Sequence, residues 1–139
     1  MQLEIKTLTA ADRAILDRVA EDVFDEPIRP ERLAAYLADP RHHMIVAIEG
    51  GQVVGQVAAV MHRHPDKAPE LFIDEIGVTA ALRHRGIGRR LLDEMLALGK
   101  ALGCGQAWVG TEHDNGPARR LYESYGVPAE PFVMYTFKL

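Results

Sequence analysis

Apolar residues recur along this chain with two different periods, and the changes of period mark out its elements. Residues 2–7 alternate apolar and polar and predict a first strand. Thr9 is placed to cap a helix running to about Phe24, with Ile15, Val19 and Phe24 turned inward. Pro30 suits the first turn of a second helix carrying Leu33 and Leu37. That helix stops at Asp39-Pro40, because a residue before proline disfavours helical dihedrals. Met44 to Ile48, Gly50-Gly51 and Val53 to Val60 predict a hairpin turned by its two glycines. A polar loop from His62 to Pro69 leads into a further strand over Leu71 to Val78.

Beyond that strand the period becomes helical. Ile87, Leu91, Met95, Leu98 and Leu102 form one stripe, and Gly103 ends it. Gln106 to Thr111 predicts the next strand. Asn115 to Tyr125 predicts a helix with Ala118, Leu121, Tyr122 and Tyr125 on one side, and Phe132 to Phe137 a last strand. The order β-α-α-β-β-β-α-β-α-β, without repeat or linker, predicts an α/β (mixed α+β) fold: one mixed sheet with helices packed on it, as a single domain over residues 1–139.

Charge and composition narrow the partners. The formal net charge of −4 argues against nucleic acid, whose phosphates are bound by basic surfaces. No apolar run is long enough to span a bilayer, and Glu4 and Lys6 interrupt the apolar residues at the start, so a cytoplasmic protein without membrane contact is expected. Cys104 is the only cysteine; set between two glycines with no nearby histidine, it reads as a packing residue. The pairs His42, His43 and His62, His64 lack a nominated third ligand, so no metal site is expected. Acids gather at Glu21, Asp22, Asp25 and Glu26, at Asp74 and Glu75, and at Glu112 and Asp114, which suits a cationic partner.

The densest chemistry lies between Ile76 and Leu92. A strand gives way to a basic glycine loop and then to an amphipathic helix. Gly86 and Gly88 let the backbone approach a ligand closely, and the first helical turn presents free N–H groups and the positive end of the dipole. Arg83, Arg85, Arg89 and Arg90 add full charges. The combination predicts a diphosphate site. The glycine spacing fits neither a Walker loop nor a dinucleotide fingerprint.

Arg83-x-x-Gly86-x-Gly88 resembles the acyl-CoA loop of the GNAT superfamily of N-acetyltransferases. A second element, Asn115-Gly116-Pro117-Ala118-Arg119-Arg120-Leu121-Tyr122-Glu123-Ser124-Tyr125-Gly126, is similar to that superfamily's Asn-x-x-Ala-x-x-Leu-Tyr-x-x-x-Gly signature. The resemblance covers nearly the whole chain and is strongest from about Glu70 to Gly126. It implies a GNAT fold and acetyl-CoA as cofactor. The strands over 71–78 and 106–111 would splay to admit the pantetheine arm, which would pair with Ile76 and Val78 across Gly77. Arg83, His84, Arg85, Gly86, Ile87, Gly88 and Arg89 would hold the diphosphate, with Asn115, Ala118 and Tyr122 also on the coenzyme side. A homodimer is implied too, since dimers are common in such proteins.

Within that superfamily, Glu75, His84-Arg85-Gly86-Ile87 and Glu112-His113-Asp114-Asn115-Gly116-Pro117-Ala118 resemble the gentamicin-type aminoglycoside 3-N-acetyltransferases. Acetyl transfer to an amine needs a proton acceptor, a polarised carbonyl and a proton for the departing thiolate. The resemblance assigns the first role to Glu75 and the last to Tyr122, and a strand N–H near Val78 would polarise the carbonyl. Asp74 is the alternative base, because strict alternation puts Asp74 and Glu75 on opposite faces. A Glu75 that only binds the cationic substrate is the other reading. Asp25 and Glu26, with Glu112, His113 and Asp114, are expected to rim the acceptor. The expected function is acetylation of a primary amine of a cationic small molecule, an aminoglycoside first, by direct transfer in a ternary complex. Peptide, protein or polyamine acceptors are the alternative, and a non-catalytic acyl-CoA sensor is the rival of another class.

Overall fold

The computed structural model describes residues 2–139. Its strands are β1 (Leu3–Thr7), β2 (His42–Glu49), β3 (Gln52–His62), β4 (Glu70–Val78) and β5 (Gln106–Val109). Its α-helices are α1 (Pro30–Ala38), α2 (Ile87–Ala101) and α3 (Gly116–Glu123). The strands form one sheet in the order β1-β2-β3-β4-β5. The first three pairings are antiparallel and β4 with β5 is parallel, as a strand-helix-strand crossover through α2 requires.

Each sheet face is covered by a different layer. Ile45, Ala47, Val57, Ala59, Leu71 and Ile73 pack with Ile87, Leu91 and Met95 of α2 on one side. Met44, Val46, Val53 and Ala58 pack with Leu16, Val23 and the partly buried Leu33 and Tyr36 on the other. The hairpin forms at the expected glycines, both with positive φ, 60° at Gly50 and 75° at Gly51. Among the described residues no helix is long and apolar enough to cross a membrane.

Two predicted elements differ. The helix expected from Thr9 to Phe24 is only a 3-10 segment, Ala10–Asp17, although Thr9 and Asp12 do form a capping box. Asp12 already leaves helical dihedrals, and Arg18 is extended. There the chain is drawn to β3: Val53 N donates to Arg18 O at 2.8 Å, and Ala20 N donates to Val53 O at 2.9 Å. These inter-segment bonds override the local helical pattern. The predicted last strand over Phe132 to Phe137 is not a strand either. Its residues alternate as a strand should, but strand structure needs a paired neighbour, and among the described residues β5 pairs only with β4. The two helices of the second half and β5 itself are shorter than expected by one to two residues at their ends.

Candidate active site

β4 and β5 part company halfway along the longer strand. They pair from Glu70 with Gln106 to Ile73 with Val109, and Asp74 to Val78 then run on with no strand neighbour on that side among the described residues. Thr79 N donates to Val54 O at 2.8 Å on the β3 side. Since backbone groups alternate along a strand, the N–H and C=O groups of Ile76 and Val78 face the open side instead. Gly77 lies between them and is required sterically: a Cβ there would come within 2.6 Å of the Val23 carbonyl oxygen.

The loop that follows is built to turn sharply. His84 has φ 66° and Gly86 φ 75°, so both sit in the left-handed region. Gly86 is the N-cap of α2, and the first intrahelical bond there is Arg90 N to Gly86 O at 3.1 Å. The amides of Ile87, Gly88 and Arg89 precede that bond and are therefore free of intrahelical partners. A short 3-10 turn, Ala80–Leu82, leads into the loop and is pinned by Asp22, whose Oδ2 accepts from Ala80 N at 2.8 Å. Hydrogen bonds from the Thr79 hydroxyl and the Ala80 amide hold the Asp22 carboxyl below its ordinary pKa, so it stays charged.

Of the arginines expected at this loop, Arg83, Arg85 and Arg90 are exposed, and none pairs with a carboxylate among the described residues. Arg89 is engaged differently. Its Nη1 donates to Ser124 Oγ at 2.6 Å and its guanidinium lies 4.2 Å from the centroid of the Tyr125 ring. Arg89 thus ties α2 to the end of α3. Free amides, a helix N-terminus and three uncommitted guanidinium groups fit a diphosphate, and the unpaired backbone of Ile76 and Val78 fits an amide-bearing arm.

The other half of the site lies on the α1 face, and a β-bulge creates it. Ala58 pairs with Glu75 and Ala59 with Ile73, which leaves Asp74 as an extra residue. Strict alternation would separate Asp74 and Glu75. With the bulge both turn to the face of Ala58, and both act electrostatically on Tyr36 of the layer above it. Burial and then the neighbouring Asp25 and Asp74 raise the pKa of Glu75. Desolvation by the surrounding atoms raises that of Asp74 as well, although His42 opposes it, and the side chain keeps its contact with solvent. Asp25 therefore joins Asp74 and Glu75 in one acidic patch. None of the three pairs with a lysine or arginine among the described residues.

Two members of this face were missed by sequence reasoning. Gln56 is fully buried and no partner among the described residues meets hydrogen-bond geometry for its carboxamide, although it approaches Glu75 closely enough to favour the charged carboxylate. The signal was present, since Gln56 is the one polar residue in the run from Val53 to Val60. Tyr36 carried no signal in the sequence; its hydroxyl donates to His43 O at 3.2 Å, and burial first, then Asp74 and Glu75, raises its pKa. Beside Tyr36 opens a surface groove of about 550 Å³, lined by Glu26, Ile28, Arg32, Leu33 and Met44 among others. Glu26 thus lies in that groove, which Arg29 and Arg32 also line, and not among the residues that act on Glu75.

The remaining expected residues are on or near α3. Tyr122 is partly buried against the core, and burial alone raises its pKa, so the phenol keeps its proton. Leu121 beside it reaches Gly88, where a Cβ would lie 3.6 Å from Leu121 and 3.9 Å from Val78. The mouth of the β4–β5 opening, the start of α2 and α3 are therefore contiguous. Asn115 is the N-cap of α3, its side chain accepting from Ala118 N at 3.2 Å, so this pair builds the helix start. Glu112, His113 and Asp114 are exposed, and Arg119 Nη1 donates to His113 O at 2.9 Å. Asn115 N and Gly116 N at the start of α3 donate to Glu112 O and Asp114 O at 3.0 and 2.9 Å, so this segment is built onto the helix start. Cys104 is partly buried against the α2 core, and His64 pairs with Glu70 at 2.8 Å.

The acetyltransferase (GNAT) family pattern matches residues 12–127 of this chain. The N-alpha-acetyltransferase RimI of Mycobacterium tuberculosis (strain ATCC 25618 / H37Rv) is 35% identical over 125 residues, covering 86% of this chain and 77% of that protein. An aminoglycoside acetyltransferase, HMB0005, from an uncultured soil metagenomic sample superposes with a TM-score of 0.84 at 24% identity, covering 100% of this chain and 99% of that one. Aminoglycoside N-acetyltransferase AAC(6')-Iy in complex with CoA superposes with a TM-score of 0.78 at 18% identity, covering 99% and 95%. At those identities the two structural likenesses establish the fold.

Proposed function

The chain belongs to the acetyltransferase (GNAT) family and is an acetyl-CoA-dependent N-acetyltransferase, and from that premise we propose that its acceptor is a primary amine of a multiply charged small molecule, an aminoglycoside first. The observation that carries this reading is the convergence of Asp25, Asp74 and Glu75 on one face without a cationic partner among the described residues. Three carboxylates brought together repel one another, and a ligand bearing several ammonium groups relieves that repulsion better than a single amine does. The resemblance to gentamicin-type enzymes makes the 3-amine the expected position.

The coenzyme, when bound, supplies an acetyl thioester. Around it the chain's residues do the rest. Arg83, Arg85, Gly86 and the first amides of α2 hold the diphosphate, and Ile76 and Val78 offer backbone groups to the arm. Asp25 and Asp74 draw the acceptor's ammonium groups onto the sheet face. Glu75 takes a proton from the attacking amine, directly or through water, and its raised pKa makes it a stronger base than an exposed glutamate. The Val78 N–H polarises the thioester carbonyl. Tyr122, held neutral by burial, offers its phenol proton to the departing thiolate. Transfer is direct, within a ternary complex.

A second reading rests on the likeness to an N-alpha-acetyltransferase: the acceptor would then be the terminal amine of a peptide or protein. Thiol release from acetyl-CoA, measured with aminoglycosides, polyamines, amino acids and basic peptides, separates the two. Release with aminoglycosides, and a monoacetylated product by mass spectrometry, is expected. Release with peptides alone would move the acceptor to the second reading.

A further inference from the structure

Gln56 lies among apolar residues, and its surroundings leave its carboxamide unused. The sheet register pairs it with Val46 of β2 and with Gly77 of β4. Val23, Val46 and Ala58 on the same face are buried, and Gln56 itself is 0% exposed. Among the described residues neither its Nε2 nor its Oε1 has a hydrogen-bond partner. A carboxamide taken out of water with both ends idle costs stability, so an apolar residue would serve the sheet better at this position.

The register also says where that carboxamide reaches. Ala58 stands opposite Glu75 and Gln56 opposite Gly77, so Gln56 and Glu75 are diagonal neighbours on one face. Diagonal neighbours of an antiparallel pair lie within reach of long side chains. Gly77 keeps the space open: Gln56 Nε2 lies 3.7 Å from where a Cβ of Gly77 would be, and the Val23 carbonyl closes over the same spot. The side chain is thus folded over Gly77, between Glu75 and Val78, the positions assigned above to proton removal and carbonyl polarisation. The ionisable groups around this corner come from three elements. Asp74 of β4 and Asp25 ahead of α1 act on Glu75, Tyr36 of α1 feels both Asp74 and Glu75, and His42 of β2 acts on Asp74.

We propose that Gln56 is a positioning residue for Glu75, its Nε2 donating to the carboxylate and fixing the rotamer in which that carboxylate meets the acceptor amine. The inference rests on the reading of Glu75 as the base. Catalytic hydrogen bonds are often long in a free enzyme and tighten when substrate is bound. That fits a contact which already favours the charged carboxylate while falling short of hydrogen-bond geometry. A neutral donor suits the task. A lysine or arginine in its place would stabilise the Glu75 carboxylate enough to weaken it as a base, and would repel the acceptor's ammonium groups. A carboxamide orients the carboxylate and leaves the acidic patch its charge.

Nitrogen-edited NMR of the wild-type chain tests the contact without turnover: the Gln56 side-chain NH2 signals should shift with pH along the Glu75 titration and lose that step in Glu75→Gln. Kinetics test its use. Gln56→Met keeps the length of the side chain and removes its donor. Its kcat should fall by ~10-fold and the acid limb of kcat/KM should rise by ~1 pH unit, the size of one hydrogen bond to a charged group, with the KM for acetyl-CoA unchanged. Combined with Glu75→Gln, the same substitution should lower kcat no further, since it acts through a carboxylate that is no longer there. NH2 signals blind to the Glu75 titration, an acid limb that stays in place, or losses that multiply in the double variant would overturn the proposal. A fully active Glu75→Gln with the NMR coupling intact would instead overturn Glu75 as the base, and the positioning role with it, while the contact itself stood.

Discussion

The coenzyme side and the acceptor side of this site are made in opposite ways. Nearly everything expected to hold the diphosphate comes from one stretch, Val78 to Arg90, in which a strand end, two residues of positive φ and a helix start follow in order. The acceptor face draws Asp25, Tyr36, Gln56, Asp74 and Glu75 from four separate segments, and a single bulge at Asp74 brings two of them to the same side. A phosphate cradle needs local backbone geometry. Charge selectivity needs several acids close together, which only the tertiary structure can supply.

If the two sides are independent, substitutions should separate them, and the largest effect should come from the acid nearest the chemistry. Glu75→Gln is expected to lower kcat by ~10²–10⁴-fold, the range of a general base, with coenzyme affinity unchanged by calorimetry. Tyr122→Phe should lower kcat by ~10²-fold, again without loss of coenzyme affinity; full turnover would remove Tyr122 from the role of acid. Gly86→Val acts on the other side. It forces a β-branched residue to a φ of 75°, a strain of ~1–3 kcal/mol, so coenzyme affinity should fall by ~10–100-fold while the pH profile of turnover stays in place.

The smallest effects are in pH. The acid limb of kcat/KM should lie above the ordinary glutamate range, because burial and neighbouring acids raise the Glu75 pKa, and Asp25→Asn should move it to lower pH by removing one of those charges. Stability has a definite sign here. A carboxyl whose folded pKa is raised stabilises the fold while protonated, and that contribution is lost as pH rises through the folded pKa. Asp74→Asn should therefore raise Tm at neutral pH and leave it nearly unchanged in acid, as thermal melts would show.

How much of this was legible follows the same division. The β2–β3 hairpin, the loop and the start of α2 depend on neighbours in sequence, and Gly50, Gly51, Gly86 and the Ile87 to Leu98 stripe announced them. Asp74 and Glu75 stood out as acids, but their shared face depends on the register of β4 against β3, which alternation alone gets wrong. Gln56 was visible only as a polar interruption, and Tyr36 not at all, because its meaning depends on what lies beneath α1. The residues from Arg18 to Phe24 failed for a related reason, the backbone of Arg18 and Ala20 being bonded to Val53. Phe132 to Phe137 had a strand's pattern but no paired neighbour, and pattern cannot supply the partner.

The most direct test of the acceptor reading is kcat/KM across primary amines graded by their number of ammonium groups, measured for the wild-type chain and for Asp74→Asn. The account predicts a rise with charge that reaches its highest values with aminoglycosides and flattens in the variant. A peptide carrying a single terminal amine that outperforms every polycation, with no loss in Asp74→Asn, would contradict it.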